Sequence, residues 1–95
     1  MDLLQFRFLC YDRSEDAFYL TGYPLLLTPT EHRLLLAILE NERQSFEDLS
    51  CLGKPSLRRG SIAVHISAIN RTAALISGQK LIEYHDGAYR LNYWM

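Results

Sequence analysis

The stretch Ser61–Ser77, SIAVHISAINRTAALIS, constrains the fold of this chain more than any other. At about 100° per residue, Ile62, Ile66, Ile69, Ala73 and Ile76 fall on one narrow stripe, the mark of a helix with a single buried face. The opposite side carries Ala63, Val64, Ser67, Asn70, Arg71 and Ala74, a small and weakly charged surface. Such a helix can pack on a core through its isoleucines and still enter a groove with its other side.

The rest of the chain must supply the core. With 95 residues and 48% hydrophobic content, including six tyrosines and four phenylalanines, one compact domain over 1–95 is expected, since two cores would each be too small. The longest apolar run, Leu34 to Leu39, is far short of a membrane span. No charged and apolar leader opens the sequence, so a cytoplasmic protein is expected. Cys10 and Cys51 suggest no disulfide framework; both are read as reduced, mostly buried thiols.

Charge is segregated along the chain. Residues 1–50 hold four Lys/Arg against nine Asp/Glu, a net of −5, whereas residues 51–95 hold six against two, a net of +4. An anionic partner for the C-terminal half follows, or else a chance asymmetry on a solvated surface.

Along the chain, Leu4–Asp12 alternates Phe6, Phe8 and Cys10 against Gln5, Arg7 and Leu9, which predicts one strand. After the RSED turn at 13–16, Ala17–Leu20 is a second strand. Thr21-Gly22-Tyr23-Pro24 is a tight turn with Gly22 free to take φ > 0, and Leu25–Leu27 a third strand. Thr28-Pro29-Thr30-Glu31 is a capping box with proline at the first helical position. The helix it opens runs to about Asn41, an αL-tolerant end, with Leu35, Ile38 and Leu39 inward and Leu34 and Leu36 widening the stripe. Ser45 caps a second helix ending near Leu52-Gly53, with Glu47 and Asp48 in its positive first turn. Residues 53–60 are a basic loop, after which the isoleucine-striped helix begins. Past the Ser77-Gly78 stop, Lys80–Tyr84 and Ala88–Tyr93 form a hairpin around Asp86-Gly87. The fold class is therefore α+β, with N-terminal antiparallel strands over 4–27, a three-helix unit over 28–77 and a hairpin over 79–93. Three short helices and a hairpin is the plan of a winged helix-turn-helix, whose third helix enters a major groove while the hairpin, or wing, touches the backbone.

The segments LTPTEHRLL (27–35), SFEDL (45–49), IAVHISAI (62–69) and AYRL (88–91) make the chain resemble the winged-helix effector domain of OmpR/PhoB-type response regulators, over essentially its whole length. The resemblance implies a transcription regulator of a two-component system that binds promoter DNA, often as tandem homodimers. It also implies contact with RNA polymerase through the loop 53–60. In that family a receiver domain with a phosphoacceptor aspartate normally precedes such a domain. His65 stands where the family keeps a phosphate-contacting histidine. The family's arginines at the positions of Ala68 and Asn70 are missing, however. The wing has Glu83 and His85 where relatives carry a threonine and an arginine. Since a bidentate arginine–guanine contact supplies about 1–3 kcal/mol of discrimination, specific affinity is expected to be modest.

The residues assigned to DNA are Arg58, Arg59, Ser61, His65, Ser67, Asn70, Arg71, Lys80 and His85. Arg58 and Arg59 either anchor phosphate near a helix N-terminus or are merely solvated. His65 is a phosphate donor or a histidine at the rim of the core stripe. His85 is a wing contact or an ordinary turn residue. Asn70 and Ser67 remain able to read a base edge, and Arg90 adds phosphate attraction. Tyr84, Tyr89, Tyr93 and Trp94 are read mainly as packing rather than as base-stacking groups. His32, His65, His85 and the two cysteines lack metal-ligand spacing, and no glycine-rich phosphate loop or nucleophilic arrangement occurs. No cofactor, no metal, no membrane association and no enzymatic activity are expected. The competing expectation is a winged-helix module that has given up base reading and serves protein–protein contact or dimerisation.

Overall fold

A computed structural model of the protein describes residues 3–41, 43–52 and 57–92. The chain opens with a four-stranded antiparallel meander: β1 (Leu3–Phe6), β2 (Leu9–Asp12), β3 (Ala17–Leu20) and the two-residue β4 (Tyr23–Pro24). The single strand expected over 4–12 is thus a hairpin, with Phe6 opposite Leu9 and the chain reversing at Arg7-Phe8. Arg7 takes the left-handed region at φ 53°, which lets a two-residue connection close without glycine. The reversal also changes the parity of the faces. Leu9 and Tyr11 point into the core, while Phe8, on the same face as Phe6 and Cys10 in the expected alternation, is 59% exposed.

At the next reversal Asp12 Oδ1 accepts from the backbone N–H and hydroxyl of Ser14, at 2.9 and 2.7 Å, which explains the RSED turn. Thr21 and Gly22 then both adopt positive φ, joining Leu20 to Tyr23 in a two-residue turn. The strand expected at Leu25–Leu27 is instead β4, at Tyr23–Pro24. Leu25 still donates its N–H to the Phe18 carbonyl at 2.9 Å and is buried, but the chain then leaves the sheet and Leu26 is 80% exposed.

Helix α1 (Pro29–Glu40) begins as expected. The Glu31 N–H donates to Thr28 Oγ1, and the Thr28 N–H donates to Glu31 Oε1, so the one charged side chain buried among the described residues is satisfied by the cap it completes. Leu34, Leu35 and Ile38 are buried, with Leu36 and Leu39 half-buried; Leu34 is a core residue rather than a flank. Asn41 ends the helix in extended rather than left-handed conformation (φ −128°), because its side-chain amide donates to the Ala37 carbonyl at 2.7 Å.

The following Gln44–Ser45 forms β5, which no local pattern announced, and Ser45 doubles as the cap of α2 (Phe46–Ser50) in a box with Asp48. This helix ends at Ser50, short of Leu52-Gly53. Cys51 lies exposed just past its end, against the expectation of a buried thiol. Of the expected loop 53–60, residues 53–56 lie outside the described residues. Arg59 and Gly60 belong to α3 (Arg59–Ser77), which starts two residues before Ser61. Ile62, Ile66, Ile69 and Ala73 of its stripe are buried, Ile76 half-buried, and Gly78 stops the helix at φ 77°.

β6 (Ile82–His85) and β7 (Ala88–Leu91) close the chain as an antiparallel pair, with Asp86 and Gly87 both at positive φ in a two-residue turn. The expected strand ends at Tyr93, and Trp94 beyond it, lie outside the described residues. β7 pairs on its other side with β5, giving a second sheet of order β5-β7-β6. One core joins both sheets and the helices. It runs through Leu9, Phe18, Leu20, Leu35, Leu49, Ile62, Ile69, Leu81 and Ile82, each contributing about 1.5–3 kcal/mol by burial.

Where the meander meets α1, the Asp16 carboxylate accepts from the Tyr11 hydroxyl and from His32 Nε2, the latter at 2.8 Å. The hydrogen bond to Asp16 pushes Tyr11 up to about 12, with burial adding to it, and the same bond holds Asp16 below the usual carboxylate range. The His32 ring sits edge-on against Phe18, centroids 4.9 Å apart.

Candidate nucleic-acid interface

α3 presents its outer side to solvent because its isoleucines are spent on the core. Gly60, Val64, Ser67 and Arg71, spaced four, three and four residues apart, lie along this outer line and are all exposed. Its N-terminus differs from those of α1 and α2. The cap position is Arg58, whose side chain makes no capping bond, and no acid occupies the first turn. Backbone N–H groups there combine with two exposed arginines. Arg59 is braced rather than free-swinging: its guanidinium carbon lies 4.4 Å from the centre of the Phe46 ring at the start of α2.

The C-terminal hairpin is tied to the middle of α3 by one side chain. Asn70 Oδ1 accepts from the backbone N–H groups of Leu81 and Ile82, at 3.0 and 2.8 Å, and Asn70 Nδ2 donates to the Ile82 carbonyl at 3.0 Å. From the other end of the hairpin, Asn92 donates its side-chain amide to the Lys80 carbonyl and its backbone N–H to the Leu81 carbonyl. An open cleft of about 590 Å³ separates helix and hairpin, with Ser67, Arg71 and Ala74 on one side and Lys80, Glu83 and Tyr84 on the other. Phe46, Tyr84 and Tyr89 pack as an aromatic cluster at its foot, with ring centroids 5.0 to 5.7 Å apart. Burial there, reinforced by Tyr84, pushes the Tyr89 phenol up while Arg59 opposes the shift.

Electrostatically the hairpin is less basic than its composition suggests. Arg90 Nε donates to Glu83 Oε1 across the strands at 2.6 Å, and His85 Nε2 lies 3.3 Å from the Asp86 carboxylate at the tip. Arg43 reaches over to donate to the Asp86 carbonyl at 2.7 Å, fixing the tip from the side.

The residues singled out in the sequence therefore sort into three places. Arg58, Arg59 and Ser61 surround the start of α3, with Ser61 half-buried. Ser67, Asn70, Arg71 and Lys80 line the cleft. His65 is half-buried on the flank of α3 away from the cleft, and His85 sits exposed at the hairpin tip. Asn70 is the correction. Its amide oxygen is fully used by two backbone donors, so the bidentate pairing with adenine that its residue type allows is not open to it. Phe46, Arg43 and Asn92 were not foreseen; each acts through a partner more than ten residues away, which no local pattern registers.

No family model and no curated protein matches the sequence. Solved structures do match. The DNA-binding domain of the response regulator AdeR, crystallised in complex with an intercistronic region, is similar with a TM-score of 0.75 at 19% identity, over 94% of this chain and 97% of that one. The likeness is one of fold: the chain is a winged helix. In the terms of that fold the hairpin β6–β7 is the wing, α3 is the third helix, and Asn70 joins the two. Among the described residues no helix is long and apolar enough to cross a membrane.

Proposed function

We propose that the protein is a DNA-binding regulator of transcription that lays α3 in the major groove of promoter DNA with the wing beside it. One observation carries this reading: the start of α3 is uncapped, free of acids and flanked by Arg58 and Arg59, while its outer face is clear of the core. An N-terminus of this kind favours phosphate through its backbone N–H groups and its dipole. Arg71 and Lys80 extend the positive character into the cleft, where a strand's backbone can run between helix and wing. The likeness to a domain crystallised on DNA supports the same reading. Few cations take part, so affinity is modest, its salt dependence shallow, and binding as a tandem homodimer multiplies it. The role is one of binding rather than catalysis, in the cytoplasm, within a two-component system. Contact with RNA polymerase is assigned to the 53–60 segment.

Electrophoretic shift of promoter fragments at low and moderate salt is the direct test. Retention no greater than that of a neutral control protein at low salt refutes the proposal.

A second reading has its own observation. Leu75 is 89% exposed and Val64 64% on α3, and Tyr84 is 53% exposed on the wing, which together suit a protein surface. On that reading the module dimerises or docks a partner without DNA. Sedimentation across a concentration series without DNA distinguishes the two: concentration-dependent association with no duplex shift favours the second.

A further inference from the structure

Direct reading of bases by α3 has to come from its outward face, and few groups stand there. Along the N-terminal part of the helix these are Gly60, Ala63, Val64, Ser67 and Arg71. Asn70 is committed to the wing through three hydrogen bonds. Ser67 offers one hydroxyl, which suits several bases equally. Gly60 has no side chain. What remains is Arg71, the single methyl of Ala63 and, two turns before Arg71, the isopropyl group of Val64, which is 64% exposed and the larger apolar group of the two.

In the major groove a base pair presents an apolar group at one place, the C5 position of a pyrimidine carrying a methyl. On the DNA-binding reading above, we infer that Val64 selects the binding site by packing on a pyrimidine C5-methyl group. The helix rises roughly 10 Å from Val64 to Arg71, about three base-pair steps, so Arg71 reaches a guanine edge about three pairs from the methyl. Thymine and 5-methylcytosine present the same methyl in the same position. The inference thus replaces the hydrogen-bonded readout implied by the usual recognition-helix arginines with a largely apolar one.

The test begins with in vitro selection by the full chain from a random duplex library. Each thymine of a selected site is then replaced by uracil, which keeps the base pair and removes only the methyl. Loss of one buried methyl corresponds to about a fourfold drop in affinity, and one or two positions are expected to show it. Cytosine and 5-methylcytosine at the same position separate the sources. Recovery of affinity with 5-methylcytosine over cytosine shows that the methyl is read whatever base carries it. No recovery, with thymine still preferred to uracil, identifies thymine as the source.

Val64→Ala, a surface change that leaves the core intact, is expected to bind thymine and uracil versions equally. Equal binding of the two by the unaltered chain at every position overturns the inference and leaves DNA binding standing. A full thymine preference retained by Val64→Ala removes Val64 from the role. Failure to shift any duplex at low salt overturns the DNA-binding reading and this inference together.

Discussion

The starts of α1 and α3 are built on opposite principles. α1 closes its own N-terminus: Thr28 and Glu31 satisfy each other's backbone donors, Pro29 removes one donor, and His32 is tied to Asp16 of the meander. α2 repeats the device with Ser45 and Asp48. α3 has neither cap nor acid, and its anchor sits mid-helix, where Asn70 grips the wing. Two helices spend their positive ends on the protein's own side chains. Among the described residues, the third has no side-chain cap and no acid at that end, an arrangement that favours an anion. On the proposed DNA-binding reading, stability and binding fall to different helix termini, and substitutions can separate them.

The largest effect is expected where α3 is anchored. Asn70→Ala strands the N–H groups of Leu81 and Ile82 and should cost about 2–3 kcal/mol, read as a lowered urea midpoint or a melting temperature reduced by more than 10 °C. Next comes the open terminus. Arg58→Asp supplies α3 with the cap it lacks while exchanging a cation for an anion beside phosphate. The melting temperature should rise by several degrees, about 1 kcal/mol of capping, while affinity for duplex DNA falls by about 2 kcal/mol or thirtyfold. If stability and affinity moved in the same direction, the contrast between the helix starts would be lost. Thr28→Ala is the complementary change: about 1 kcal/mol of stability lost in thermal melts, with DNA affinity unaltered. Ser45→Ala, in the more exposed box of a five-residue helix, should cost about half as much.

The smallest effect is the pH dependence of α1's tie. Asp16 has a lowered pKa in the folded protein, so its contribution is present above the ordinary carboxylate range and is lost as pH falls through the folded value. Tyr11 is raised to about 12, so its contribution is complete below pH about 10 and disappears as pH rises from there through about 12. Melting temperature against pH should therefore fall at both ends, and Asp16→Asn should flatten both arms without changing DNA binding.

Features whose partners lie close in sequence were legible without coordinates. Both capping boxes join residues three apart, and Asp86-Gly87 is a turn on backbone grounds alone, so α1, the start of α2 and the wing's turn were readable. The isoleucine stripe likewise placed α3 to within two residues at its start. The reversal at Arg7-Phe8 was missed because arginine and phenylalanine carry no turn signal; pairing of Phe6 with Leu9 against the core overrides their local preference. β5 exists only because β7 lies beside it. Charge and periodicity point to Arg58, Arg59, Ser67, Arg71 and Lys80, which the fold brings to the start of α3 and to the cleft. Asn70 was assigned to bases because its donors and acceptors are visible in the sequence, whereas its partners lie 11 and 12 residues on, across the cleft.

The bracing of the wing has a mechanical consequence. Asn70, Asn92 and Arg43 hold it by its root on α3, by its closing strand and by its tip. Helix and wing consequently keep a set separation, like the jaws of a gauge. To widen it, the two N–H donors of Leu81 and Ile82 must give up Asn70 together. On the proposed DNA-binding reading, a duplex whose groove does not fit that spacing has to deform to be held, so sites would be ranked by how readily they deform as well as by their bases.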